Sequence, residues 1–156
     1  GYTADKMSLV EVMMRRGSKG DHRLPWEELF YDGDFGKPIA AGDADAVSEA
    51  KDVIEEYAGV LEMVRLAPSA VNRQPWRIVA ERGDAEGIKA FHFYQSGIKA
   101  DDSESVQMHR IDMGIAICHF HLAALEKGLK GKFERVEPAD VDAPENTAYI
   151  ISWICE

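Results

Sequence analysis

The sequence predicts an α+β domain, and three observations lead there. Apolar residues recur at helical spacing in two long stretches, from about 45 to 64 and from 103 to 127. Short β-branched and aromatic runs accompany them at Trp76–Ala80, Ala90–Gln95, Phe133–Val136 and Tyr149–Cys155. Turn formers separate the two kinds of run, above all the stretch between Pro68 and Pro75. Two long helices and three or four strands in a sandwich follow from this pattern.

The elements can be justified in chain order. A short helix is expected at Met7–Met14, with Ser8 as its N-cap and Glu11 at capping-box spacing. The basic, turn-rich run Arg15–Arg23 reads as a linker. Pro25 suits a first helical turn and opens a short amphipathic helix through Tyr31, which Asp32–Pro38 ends in a loop. Trp26, Leu29, Phe30 and Phe35 are too apolar for free solvent, so an arm here is expected to lie against another surface. Residues 1–40 are therefore read as a connector and extended N-terminal arm, and 41–156 as the domain.

In that domain Val47, Ala50, Ile54, Tyr57, Leu61 and Val64 step by threes and fours, the pattern of an amphipathic helix capped by Asp43 or Asp45. Pro68 stops it, because a proline pushes the preceding residue out of helical geometry. Arg82-Gly83-Asp84 reads as the turn between two strands. The second helix, about Ser103–Lys127, has Met108, Ile111, Ile115, Cys118, Leu122 and Leu125 as its apolar stripe. Ile117 and Phe120 add apolar surface outside it, so burial by neighbours on more than one side is expected. Gly128 is its C-cap, with Lys127 and Lys130 at the negative end of the dipole. Tyr149–Cys155 is apolar on both faces, as an interior strand is.

Composition excludes several classes of function. The chain has 156 residues, 46% of them hydrophobic, and a formal net charge of −10. Nucleic-acid binding needs a dense basic surface that this charge does not offer, and anionic membranes are disfavoured for the same reason. No segment is apolar for long enough to span a bilayer, and Asp5 and Lys6 interrupt any leader-like start. Cys118 and Cys155 fit no metal or redox spacing, so a reduced, cytoplasmic protein is expected.

The candidate sites each have an ordinary reading beside the functional one. The turn Pro68-Ser69-Ala70-Val71-Asn72-Arg73-Gln74-Pro75 brings two side-chain amides and a hydroxyl, enough to read a heterocycle with donors and acceptors. The same residues can satisfy local backbone groups at a helix stop, and the residues alone leave both readings open. His109, Asp112 and His119 share one stripe of the long helix; as surface or interface residues they need no metal, and His119 and His121 point to different sides. Arg15-Arg16-Gly17-Ser18 can grip a phosphate or be a solvated linker, and the linker is favoured. No GxGxxG, P-loop or GxSxG motif is present, and no side chain stands out as a catalytic nucleophile.

The stretch Val64–Val79, with Ala-Pro-Ser-Ala-Val-Asn-Arg-Gln-Pro-Trp at its centre, resembles the flavin-contacting segment of the FMN-dependent nitroreductase family. Ile111–Leu129, ending in Gly-Leu, is similar to that family's central helix. Residues 1–35 resemble the tail of one such unit and its connector to a second, as in the tandem subgroup called putative TM nitroreductases. The resemblance implies a nitroreductase-like mixed sheet flanked by helices. It also implies FMN as cofactor, NAD(P)H as electron donor and nitroaromatic or quinone-type acceptors. Pro68, Ser69, Ala70, Asn72 and Gln74 would then be the cofactor-binding residues, with no catalytic side chain and no metal. A homodimer, or a missing N-terminal unit, would complete the site.

Two departures limit this. The family's Arg-Arg-Ser phosphate grip stands about thirty residues before the turn, whereas Arg15-Arg16-Gly17-Ser18 lies more than fifty before it; and Val71 replaces the usual glycine. Little bound FMN is therefore expected in this chain alone. The alternative is a nitroreductase-like unit without catalysis, serving as a dimerisation or small-ligand-binding module.

Overall fold

The computed structural model describes residues 8–17, 19–40, 50–83, 87–98, 103–136, 138 and 140–156. In chain order the described elements are α1 (Leu9–Gly17), α2 (Trp26–Leu29), β1 (Phe30–Asp32), α3 (Ala50–Arg65), a 3-10 turn (Ala70–Asn72), β2 (Trp76–Arg82), β3 (Ile88–Ser96), α4 (Ser103–Glu126), β4 (Gly131–Glu134) and β5 (Thr147–Cys155). The strands form one five-stranded sheet in the order β1-β2-β3-β5-β4. It is mixed, because β1 runs parallel to β2 while every other pairing is antiparallel.

Side-chain alternation divides the sheet into two unlike faces. Trp76, Ile78 and Ala80 on β2 stand opposite Gln95, Phe93 and Phe91 on β3, and Phe91 in turn opposes Trp153 on β5. All but Gln95 belong to the core under α3 and α4. Phe120 of α4 is the centre of that packing, with ring centroids 5.2 Å from Phe91, 5.3 Å from Phe93 and 5.6 Å from Trp153. Tilted and edge-on contacts of this kind add to the area term. On β4, a Cβ placed on Gly131 would stand 2.5 Å from the Trp153 ring, so only glycine lets this edge strand approach.

The stripe expected on α3 is observed: Ile54, Tyr57, Leu61 and Val64 are buried, joined by Val60. Its expected caps Asp43 and Asp45, and Val47, lie outside the described residues, as does Asp84 of the β2–β3 turn. The C-terminus of α4 is a glycine stop. Gly128 has φ +72°, its N–H bonds the Leu125 carbonyl, and the Leu129 N–H reaches back to the Ala124 carbonyl. As expected, β5 is interior, between β3 and β4.

Four expectations are corrected. The linker expected from Arg15 starts later, because α1 continues through Gly17. The helix opened by Pro25 is one turn long. Phe30 and Tyr31 leave it to pair with Ile78 and Val79, so the arm's apolar residues lie against the edge of this same sheet. Phe133–Val136 is displaced: the strand is Gly131–Glu134.

The fourth correction concerns α4. Ile111, Leu122 and Leu125 are 67%, 59% and 56% exposed and Cys118 is exposed, whereas the inward face is Met113, Ala116, Phe120, Ala123 and Ala124. Small residues let α4 sit close to α3 and the sheet, and one large ring fills the centre. A helix apolar all round does not reveal which of its faces meets the core.

Candidate functional site

The chain between α3 and β2 is a strained turn held from three sides. Val71, Asn72 and Gln74 have φ of 46°, 56° and 49°, in the left-handed region that favours glycine. Such residues cost about 1–3 kcal/mol each and persist only where their surroundings over-determine them. Here the surroundings are visible. The Gln74 N–H donates to Ser69 Oγ at 2.8 Å, closing the turn from inside. From α4, Asp112 Oδ1 accepts the Ala70 N–H at 2.9 Å. The third side is the segment Lys19–Leu24.

Asn72 and Gln74, the amides expected to read a heterocycle, hold that segment. Asn72 Nδ2 donates to the carbonyls of Lys19 (2.7 Å) and His22 (2.8 Å), and its Oδ1 accepts from Arg23 at 3.2 Å. Gln74, 2% exposed, accepts the Leu24 N–H at 2.9 Å and donates to the His22 carbonyl at 3.3 Å. Arg23 completes the clamp with the carbonyls of Gly20 (2.9 Å) and Leu66 (3.4 Å). Of the five expected site residues, Pro68 is exposed, Ser69, Ala70 and Asn72 are half-buried and Gln74 is buried. The outward surface of the turn is Pro68, Val71 and Arg73, with Val71 70% exposed.

His109 and Asp112, expected at a surface or interface, are buried instead. Asp112 Oδ2 lies 3.3 Å from His109 Nδ1, so the pair braces the turn from within the helix layer. His119 goes elsewhere, its Nδ1 lying 3.1 Å from the Met63 carbonyl on α3. Ser18 and the side chain of Arg15 lie outside the described residues, so the phosphate-grip candidate is not placed.

Sequence reasoning missed a second polar cluster, on the sheet face opposite the helices. His92, 1% exposed, places Nδ1 2.7 Å from Ser152 Oγ and Nε2 3.0 Å from Glu81 Oε2. Tyr149 is 2.7 Å from the same Ser152 oxygen, which also donates to the Val136 carbonyl at 3.0 Å, while Lys89 bonds Glu81 at 2.7 Å. Burial pushes the His92 pKa down, against the opposing pull of Glu81. Burial raises that of Glu81, but its bonds to Lys89 and His92 win and hold it below the usual value. With Ser152 fully buried, the cluster reads as structural. Its sequence signal was slight: a polar residue at alternate positions in otherwise apolar strands.

Residues 41–124, more than half of the chain, match the family described as Putative TM nitroreductase. The chain is a member of that family. The match takes in the turn and most of α4, the two elements joined by Asp112. A solved nitroreductase family protein from Clostridium difficile 630 shares the fold, with a TM-score of 0.51 and 22% sequence identity. The likeness covers 64% of this chain and 69% of that one. No curated protein matches. The expected α+β nitroreductase-like fold is therefore established for this family member, with strand β1 supplied by its N-terminal segment.

Proposed function

We propose that this nitroreductase-family unit is part of an FMN-dependent NAD(P)H oxidoreductase acting on nitroaromatic or quinone-type acceptors. The observation that carries the reading is the strained turn of Pro68–Gln74, braced by α4 and lying within the family match. Strain of this kind clusters at ligand-binding sites, where the surrounding contacts maintain it. FMN, when bound, would supply the hydride and electron chemistry, and the protein's part is to orient the ring and exclude water.

The residues fit a flavin ring in part. Pro68, Ala70 and Val71 offer an apolar edge with a fixed backbone, suited to lie against a flat ring. Ser69 sets the turn's curvature through Gln74, and Asn72 and Gln74 act at one remove by holding Lys19–Leu24. All five expected site residues thus remain in the proposal, Ser69, Asn72 and Gln74 as positioning residues.

Self-association belongs to the same reading. Ile111, Leu122 and Leu125 on α4, with Met63, Leu66 and Val71 beside the turn, are each more than 40% exposed, and a second unit would cover them. That unit is either a second copy or a neighbouring unit of a longer chain, and cytoplasmic localisation is proposed with it. The alternative, a non-catalytic ligand-binding or dimerisation module, is favoured by one observation: the side-chain amides of the turn are already engaged with the protein's own arm.

Reconstitution with FMN distinguishes the two. The oxidoreductase reading expects a yellow complex, sedimenting as a dimer, whose flavin absorbance is bleached by NAD(P)H. The N72A/Q74A double variant should keep its fold and lose flavin at least about tenfold more readily, as expected when ordering hydrogen bonds go. A protein that stays colourless at high FMN in every oligomeric state, or one that binds flavin but is never reduced, would leave the module reading.

A further inference from the structure

Ser152 is the centre of a cluster that has more contacts than protons. On the sheet face away from α3 and α4, four close contacts form a chain. Glu81 Oε2 meets His92 Nε2 at 3.0 Å, and His92 Nδ1 meets Ser152 Oγ at 2.7 Å. Tyr149 Oη meets the same Oγ at 2.7 Å, and that Oγ meets the Val136 carbonyl at 3.0 Å. Each hydrogen bond needs one proton. Neutral histidine, serine and tyrosine bring one each, while a carboxylate and a carbonyl bring none. Three protons therefore serve four contacts. One contact stays empty until the cluster binds a further proton, which an imidazolium supplies.

Burial decides which contact is empty when the ring is neutral. The Glu81 carboxylate is the strongest acceptor in reach, so it takes the Nε2–H and leaves Nδ1 as an acceptor. His92 is 1% exposed, and a bare Nδ1 there would bear its full desolvation cost. Val136 is 50% exposed, and its carbonyl can take water instead. The Ser152 hydroxyl therefore turns to His92, and Val136 loses its donor. With the ring charged, Nδ1–H donates to Ser152, Tyr149 donates to the same oxygen, and the Ser152 proton reaches Val136.

The acceptor is well placed to matter. Val136 lies at the start of the connection 135–146 between β4 and β5, whose far end is fastened by the Ile98 N–H on the Asn146 carbonyl at 3.0 Å. The charged groups facing the cluster among the described residues are Glu81 and Lys89, and Lys132 and Glu134 on β4, each pair 2.7 Å apart. Glu134 stands in register opposite Ser152. Glu81 is kept ionised by its bonds to Lys89 and His92, which leaves the ring to take the proton.

We propose that His92 and Ser152 form an acid-closed latch: protonation of the His92 ring turns the Ser152 hydroxyl onto the Val136 carbonyl and ties the β4–β5 connection to the sheet. The latch involves no flavin and stands or falls apart from the oxidoreductase reading.

Hydrogen–deuterium exchange of residues 135–146 in the 156-residue chain reads the latch, once corrected for the intrinsic pH dependence of exchange. Nitrogen NMR of the His92 ring reads its charge. As pH falls from above 6.5 through the folded pKa, protection of the connection should rise about threefold to tenfold, the worth of one net hydrogen bond. Global stability falls over the same range, because the unfolded histidine binds the proton more readily than the folded one. A local rise therefore cannot come from a tighter fold as a whole. Ser152→Ala and His92→Gln should each leave the connection's protection independent of pH. Wild-type protection that stays flat or falls while the ring titrates overturns the latch, and so does a rise that persists in Ser152→Ala. A rise with the ring still neutral overturns the assignment to His92. If neither variant folds, the wild-type comparison of ring charge with protection decides by itself.

Discussion

The two faces of the sheet are built by opposite rules. Under the helices, Trp76, Ile78, Phe91, Phe93 and Trp153 interlock with Phe120, and stability there comes from dry area and ring packing. On the other face, Glu81, His92 and Ser152 are joined by hydrogen bonds, and Arg77 of the same face donates to the carbonyls of Gln74 and Trp76. The first face tolerates no loss of volume. The second depends on protonation and partners. One set of strands therefore supports the fold by dry packing on one side and by a hydrogen-bonded polar network on the other.

The largest expected effect breaks the apolar face. Trp153→Ala removes a ring that touches Phe120, Phe133 and His121, and should cost about 3–5 kcal/mol. Urea unfolding would show it, and a loss below about 1 kcal/mol would mean the ring is not central to the core.

An intermediate effect sharpens the polar face. Burial depresses the folded pKa of His92 below the ordinary histidine value of 6.5. The unfolded chain then binds more protons than the folded one in the window below that value. The contribution of His92 to stability is present above pH 6.5 and lost as pH falls through 6.5 toward the folded pKa. His92→Gln should flatten the Tm–pH profile below about pH 6.5. An identical slope in both proteins would refute the assignment.

The smallest effect tests where the network ends. Lys89 and Glu81 have side chains 61% and 36% exposed, so Lys89→Ala should change stability by no more than about 0.5 kcal/mol. A larger loss in a thermal melt would show that the Lys89–Glu81 pair transmits to His92.

Much of the fold was legible. Ile54, Tyr57, Leu61 and Val64 announced α3 by their spacing, and Gly128 announced the end of α4, because local geometry admits few other residues there. The turn was legible as a place but not as an arrangement. Its Asn and Gln were expected to face a ligand, yet they meet Lys19, His22, Arg23 and Leu24, about fifty residues away in sequence. No local pattern encodes such a contact. His109 and Asp112 were misjudged for the same reason: whether a polar residue on a helix is exposed depends on what lies over it.

The sequence by itself determined the α+β class, the two long helices, most of the strands and the family, since spacing and motif are local properties that neighbours a few residues apart suffice to state. Only the tertiary structure decided which face of α4 turned inward, that Phe30–Asp32 joins the sheet, and that the turn's amides hold the protein's own chain. These depend on which distant segment covers a given surface. That choice is made by the summed burial and hydrogen bonding of the whole chain rather than by any one segment's preference.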